Sequence, residues 1–445
     1  MELPRGWKST TLGEVCAPRR AGIDPRSRGD APFVGLEHVE AQTTRLLGHA
    51  TGADVRSTCY EFRRGDTLYG RLRPYLNKVH WAEFDGLASG EFIIFPPSPW
   101  LAPRFLMWLL NQSRFLAFVS TLDTGDRPRV RWEQLKSFRF GLPPYAEQER
   151  IVAVIEEALS RLDSAAAAVS AAGDRSRLFK QSVLRSAVTG RLSAHQGSVG
   201  DWTRGNDLNS RRAGRLWGSG TVPTLTQDER ATVPDHWRWT TVRHLGTDPQ
   251  VTVQVGPMSM RSADFSNVGV PVLNVGSIQW DRIDESKVNY LPASRARAFE
   301  RYRIRPGDVL FTRSGTVGRA AVASDHHDGW LMTFHLLRVR PSRDRIRPAY
   351  LRMVFEGAPH IRRQTAAAAI GTTRAGFNTN LLAELDVAVP PIAEQDEIVE
   401  TVAALSTRVS ALTQSISRTK REGAALKTAI LASALTGTLR VSTNL

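Results

Sequence analysis

Pro143-Pro144-Tyr145-Ala146-Glu147-Gln148-Glu149-Arg150-Ile151-Val152 occurs twice in this chain. It returns as Pro390-Pro391-Ile392-Ala393-Glu394-Gln395-Asp396-Glu397-Ile398-Val399, 247 residues later. Some thirty-odd residues on, Leu184-Arg185-Ser186-Ala187-Val188-Thr189-Gly190-Arg191-Leu192 returns as Leu431-Ala432-Ser433-Ala434-Leu435-Thr436-Gly437-Thr438-Leu439, again at an offset of 247. The stretch between has the same length in both copies, as a helix of fixed register requires. Pro144 and Pro391 suit a first helical position, and Gly190 and Gly437 suit a stop. At ~1.5 Å per residue, each helix would run roughly 65–70 Å.

Positions in 4-3 spacing make an apolar stripe on each helix. The first carries Ile151, Ile155, Leu162, Val169 and Phe179. The second carries Ile398, Val402, Leu405, Val409, Leu412, Ile416 and Leu426. A heptad stripe of this length reads as a coiled-coil seam. The first seam uses Ala158, Ala165 and Ala172 where the second uses Leu405, Leu412 and Thr419, so small residues facing large ones would let the helices pair within one chain, antiparallel.

Outward from the helices the repeat continues. Leu3-Pro4-Arg5-Gly6-Trp7 matches Val233-Pro234-Asp235-His236-Trp237 at an offset of 230, and Gly65-Asp66-Thr67-Leu68-Tyr69 matches Gly307-Asp308-Val309-Leu310-Phe311 at 242. Changing offsets mean that the segments before the helices differ by insertions, as expected if they read two different things. Each mixes strand-like runs such as Phe92–Phe95 with helix-like runs such as Phe105–Leu110, so α+β domains are expected. The resulting division is a first reader at 1–142, a helix at 143–192, a Gly/Ser/Arg-rich connector at 193–232, a second reader at 233–389 and a helix at 390–439.

The chain of 445 residues carries a net charge of +15. Residues 1–142 hold +5 of it and residues 233–389 hold +7, while the helices and connector hold +1 each. Charge concentrated in the readers points to a polyanionic partner. The arginine-rich turns there give the candidate DNA-binding residues: Arg71, Arg73 and Lys78, then Arg127, Arg129 and Arg131, and in the second copy Arg313, Arg319, Arg374 and Asn378. Arginine forks onto guanine or phosphate, and Asn onto adenine. Arg338, Arg340, Arg343, Arg345 and Arg347 read either as a solvated face or as a phosphate track.

Catalytic signatures are missing from the sequence. It has no Gly-Lys of a P-loop, no Gly-x-Gly-x-x-Gly and no His-Glu-x-x-His. Leu142-Pro143-Pro144-Tyr145 is similar to the adenine-holding loop of amino-methyltransferases. Leu stands where that loop has its polar residue, so the segment reads as a helix start. Two cysteines, Cys16 and Cys59, suit a reducing cytoplasm. No metal site and no membrane span are expected.

Taken together, the doubled helix starts and ends, the Pro-x-x-Trp openings and the Gly-Asp-x-Leu strands resemble the specificity subunits of type I restriction–modification enzymes. Gly307 to Gly318 and Leu72 to Lys78 are the nearest stretches. The resemblance implies two target recognition domains separated by antiparallel coiled-coil helices in a pseudo-twofold repeat. Each domain would read one half of a split sequence in double-stranded DNA, and the helices would fix the gap between the halves. Two methylation subunits would bring S-adenosylmethionine, and restriction subunits would bring ATP and magnesium. This chain would hold no cofactor and no catalytic residue. The competing readings are a non-catalytic scaffold whose basic domains bind RNA or protein, and a stand-alone DNA enzyme.

Overall fold

A computed structural model describes residues 3–19, 22–122, 125–193, 222–313, 318–369 and 378–438. Contacts divide the chain into two units: 1–172 with 415–445, and 173–414. Both long helices form as the repeat requires, at Tyr145–Ala187 and Ile392–Thr436.

In the first unit, strand Lys8–Thr11 pairs antiparallel with Arg139–Leu142, the strand leading into the first long helix. A three-stranded sheet orders Val79–Trp81, Thr67–Gly70 and Phe92–Phe95, and a five-stranded sheet stands in the same unit. Helices Pro103–Asn111 and Ser113–Ser120 bury Phe105, Leu109, Leu110, Phe115 and Val119 in the main core. That core takes in Ile151, Val152, Ile155 and Leu159 from the start of the first long helix. It also takes in Leu431, Ala434 and Leu435 from the end of the second. Burying each of the Val, Leu and Ile side chains among these contributes about 1.5–3 kcal/mol.

The second unit repeats the plan. Arg238–Thr241 pairs antiparallel with Asp386–Val389, which leads into the second long helix. A four-stranded sheet orders Val253–Val255, Leu336–Val339, Val309–Thr312 and Ala320–Val322. Helix Pro348–Gly357 buries Tyr350, Leu351 and Val354. The core holds Val183, Leu184, Ala187 and Val188 from the end of the first long helix and Ile398 and Val402 from the start of the second. Start beside end in both units means that the helices run antiparallel.

Each helix stops on a left-handed glycine, Gly190 at φ +70° and Gly437 at φ +73°. The N–H of the next residue closes back onto a carbonyl five residues earlier, Arg191 to Ser186 at 2.9 Å and Thr438 to Ser433 at 3.0 Å. This is the capping pattern that a Cβ disfavours. Space forbids one as well. A Cβ on Gly190 would lie 2.3 Å from Pro234, and one on Gly437 would lie 2.3 Å from Pro4.

Two expectations change. The connector is not uniform: Val222 and Leu225 are buried, and Gln227–Arg230 forms a helical turn capped by Thr226. This segment is tied down by Arg363, which donates to Glu229 and to Thr224 O, and by Gln364, which donates to Pro223 O at 2.9 Å. The seam is also unevenly buried. Ile151, Ile155, Ile398 and Val402 are buried, Leu162, Val169, Leu405, Val409 and Ile416 are half-buried, and Phe179, Leu412 and Leu426 are exposed. In the first unit Ala165 and Ala166 share a cavity wall with Thr419, Gly423 and Ala424. Leu162, Val169 and Leu426 line the same cavity, so small and large residues of both helices meet there.

Candidate nucleic-acid interface

The doubled Ala-Glu-Gln fixes each reader to its helix. Trp7 Nε1 donates to Glu147 Oε1 at 3.1 Å, and Trp237 Nε1 donates to Glu394 Oε1 at 3.1 Å. Glu394 is buried and also faces His236 Nε2 at 2.9 Å. Gln148 accepts from the Ala102 N–H at 2.9 Å and donates to Pro143 O and Trp100 O, both at 3.0 Å. Gln395 accepts from the Arg347 N–H at 2.7 Å and donates to Pro390 O at 2.8 Å and Arg345 O at 3.2 Å. Both amides are buried with these bonds made, as buried polar groups must be.

The Gly-Asp strands are equivalent too. Asp66 accepts from the Arg63 N–H and from Arg19; Asp308 accepts from the Arg305 N–H and, through both oxygens at 2.7 Å, from Arg340. Burial raises the Asp66 pKa above the usual carboxylate value, while its backbone bond and Arg19 work against the rise.

The arginine clusters of the first reader are brought together. The Arg73 N–H donates to Pro128 O at 2.7 Å and the Val130 N–H donates to Arg71 O at 3.0 Å. These bonds join loop 71–78 to loop 125–131. Arg73 takes a left-handed conformation, φ +51°, an uncommon one for a side-chain-bearing residue. Arg73, Tyr75, Arg127 and Arg131 are exposed on the pair of loops. Arg71 and Arg129 are exposed in part but pair with Glu91. Lys78 is turned inward, its Nζ donating to Leu36 O at 2.6 Å.

In the second reader, Arg313 lies 4.2 Å from the Phe334 ring centroid, and burial lowers its pKa. Arg319 Nη1 reaches Gln279 at 3.4 Å. Asn378 Oδ1 caps a short helix by accepting from the Leu381 N–H at 2.8 Å. Arg374 lies outside the described residues. Four of the five arginines from 338 to 347 are internal ties, neither a solvated face nor a track. Arg338 donates to Arg303 O at 2.7 Å, and burial pulls its pKa down to about 10. Arg340 holds Asp308, Arg345 donates to His244 O, and Arg347 holds Asp396. Arg343 is exposed. Sequence reasoning missed Glu91 and Phe334, because nothing near them in the chain marks them as partners of Arg71 and Arg313.

Among the described residues no group of three His, Cys, Asp or Glu is placed to hold a metal ion. No described helix is long and apolar enough to cross a membrane.

Fold and repeat together define a protein with two basic α+β readers carried on paired long helices. No family model matches the chain. It is 27% identical over 196 residues to the EcoDI type I restriction enzyme specificity subunit of Escherichia coli, covering 43% of this chain and 44% of that protein. It is 22% identical over 362 residues to the EcoKI specificity subunit of E. coli K12, covering 80% and 68% respectively. A solved structure of a type I restriction–modification system, described for its complex assembly and conformational transition, superimposes with a TM-score of 0.74 at 20% identity. That match covers 99% of this chain and all of the other. The HsdS subunit of Thermoanaerobacter tengcongensis gives a TM-score of 0.57 at 21% identity, covering 99% of each chain. The chain is thus similar in sequence to type I restriction enzyme specificity subunits, spanning less than half the length of the EcoDI subunit, and it shares the fold of the solved structures.

Proposed function

We propose that this chain reads a two-part sequence in double-stranded DNA and positions methylation and restriction subunits on it, without chemistry of its own. One observation carries the reading: a single chain holds two copies of one frame whose arginine-bearing edges differ. A repeated frame with unlike edges is what reading two unlike half-sites needs. In the first reader, exposed arginines on two stitched loops offer forked donors for bases and phosphates. S-adenosylmethionine, ATP and magnesium belong to the partner subunits in this reading. Exposed apolar residues of the helices, Leu178, Phe179 and Leu412, support protein docking there. The cytoplasm, where the genome lies, is the compartment this function requires.

Mapping methylated adenine by single-molecule sequencing, in cells with and without the gene, tests the reading. Loss of methylation at one split motif is expected, and an unchanged methylome would overturn it. On the purified complex, Arg73→Ala, Arg127→Ala and Arg131→Ala should each weaken binding. A residue on phosphate should flatten the plot of log affinity against log salt by about 0.9, whereas one on a base should relax specificity instead.

A further inference from the structure

The two readers hold the same arginine in two different ways. The Arg71 N–H donates to Glu91 O at 2.8 Å, and the Arg313 N–H donates to His335 O at 2.9 Å. Both arginines follow matched strands, Thr67–Gly70 and Val309–Thr312. Those strands pair with Phe92–Phe95 and Leu336–Val339, so Glu91 and His335 stand at the same place before the pairing strand. The side chains there diverge. The Glu91 carboxylate, about a quarter exposed, accepts from Arg71 Nε at 3.4 Å. Through both oxygens it also accepts from Arg129, at 3.2 Å from Nε and 2.6 Å from Nη2. Arg71 and Arg129 belong to the two different loops of the reading edge. In the second reader no carboxylate stands at that position, and the Arg313 guanidinium lies over Phe334, next to His335.

We infer that Glu91 is the positioning residue of the first reader's DNA edge and that Phe334 is its counterpart in the second. This rests on the DNA-reading function proposed above. A bidentate carboxylate fixes the direction of a guanidinium, and an aromatic face fixes its plane. Glu91 therefore holds Arg71 and Arg129 in one arrangement and locks the two loops that carry Arg73, Arg127 and Arg131. It also cancels one positive charge at the edge. Removing it takes from Arg71 and Arg129 the carboxylate they share and leaves one more net positive charge toward DNA. Base discrimination depends on fixed geometry, whereas phosphate attraction depends on charge. The signature is a loss of discrimination together with a gain in affinity for random sequence.

The test uses the full chain in complex with its methylation subunits and a pool of random-sequence duplex DNA. Bound DNA is sequenced, and affinity for unselected duplex is titrated against salt. Glu91→Gln should reduce discrimination against single mismatches by about tenfold in one half-site only, the scale of one lost base contact. Binding to random duplex should tighten and its salt dependence should steepen. Arg129→Ala should relax the same half-site without tightening random binding, and it serves as the second variant if Glu91→Gln melts early. Phe334→Leu should relax the other half-site. Unchanged discrimination in Glu91→Gln overturns the inference, and so does equal loss in both halves. If the unsubstituted complex enriches no sequence at all, the DNA-reading function itself fails.

Discussion

Trp7 meets Glu147 and Trp237 meets Glu394 at the same distance, whereas Arg71 meets a carboxylate and Arg313 a phenyl ring. The readers agree where they grip the helices and differ where they present arginine. The grip is built from these indole–carboxylate pairs and from two buried glutamines, Gln148 and Gln395, whose partners are backbone atoms, and such buried groups tolerate little change because each unmade bond is expensive. The edge is built from half-exposed cations, for which water is always an alternative partner, so two solutions can coexist on one frame.

The largest effect should come from breaking the grip. Gln148→Leu and Gln395→Leu each remove three hydrogen bonds and strand backbone groups, the buried Ala102 N–H and Pro143 O in one case and the part-buried Arg347 N–H and buried Pro390 O in the other. Each should cost about 3 kcal/mol, within about 1 of the other if the two frames are energetically equivalent. Urea unfolding of the full chain measures both. A cost in one reader and none in the other would show that the shared geometry does not mean shared energetics.

The grip was the legible part of the sequence. Glu147, Gln148 and their copies stand in a doubled string with fixed spacing, and Gly190 and Gly437 close it, so helix limits and repeat could be read directly. The α+β character and the charge of the readers were also legible. The reading edge was legible only as composition. Which basic side chains face out depends on partners far along the chain: Arg340 meets Asp308, Lys78 meets Leu36 O, and Arg129 meets Glu91. No local pattern encodes those pairings. The seam misled for a related reason: heptad spacing shows which residues share a face but not how closely another helix approaches it. The tail of the connector, Val222 to Thr232, was read as spacer because its two buried residues make no period.

A subtler asymmetry lies inside the grip. Glu394 is buried, at 1% exposure, while Glu147 is half-buried. Trp237→Phe deprives a carboxylate that water cannot reach, leaving it His236 and Ser193 as partners. Trp7→Phe deprives one that water can reach. The second-reader change should cost about 2 kcal/mol and the first-reader change about 1. Equal costs would mean that His236 and Ser193 fully replace the lost indole donor.

The smallest expected difference is in response to acid. Burial lowers the pKa of His80 in the first reader and of His327 and His360 in the second. His80 Nδ1 faces Thr44 O at 3.0 Å and His360 Nε2 faces Asp386 O at 3.0 Å, so each neutral ring is held as a donor to one carbonyl. A histidine whose folded pKa lies below its unfolded value binds fewer protons when folded. Stability is then full above the ordinary value of 6.5 and is lost as pH falls from there through the folded pKa. Glu285 opposes the shift at His327, and the bond to Asp386 O and Glu229 oppose it at His360. Melting temperature followed from pH 7.5 to 5.5 should fall less steeply in His360→Gln and in His80→Gln than in the parent chain. Each Gln keeps an amide donor for the carbonyl and removes the proton-binding site, so a slope unchanged in both would place the acid sensitivity elsewhere.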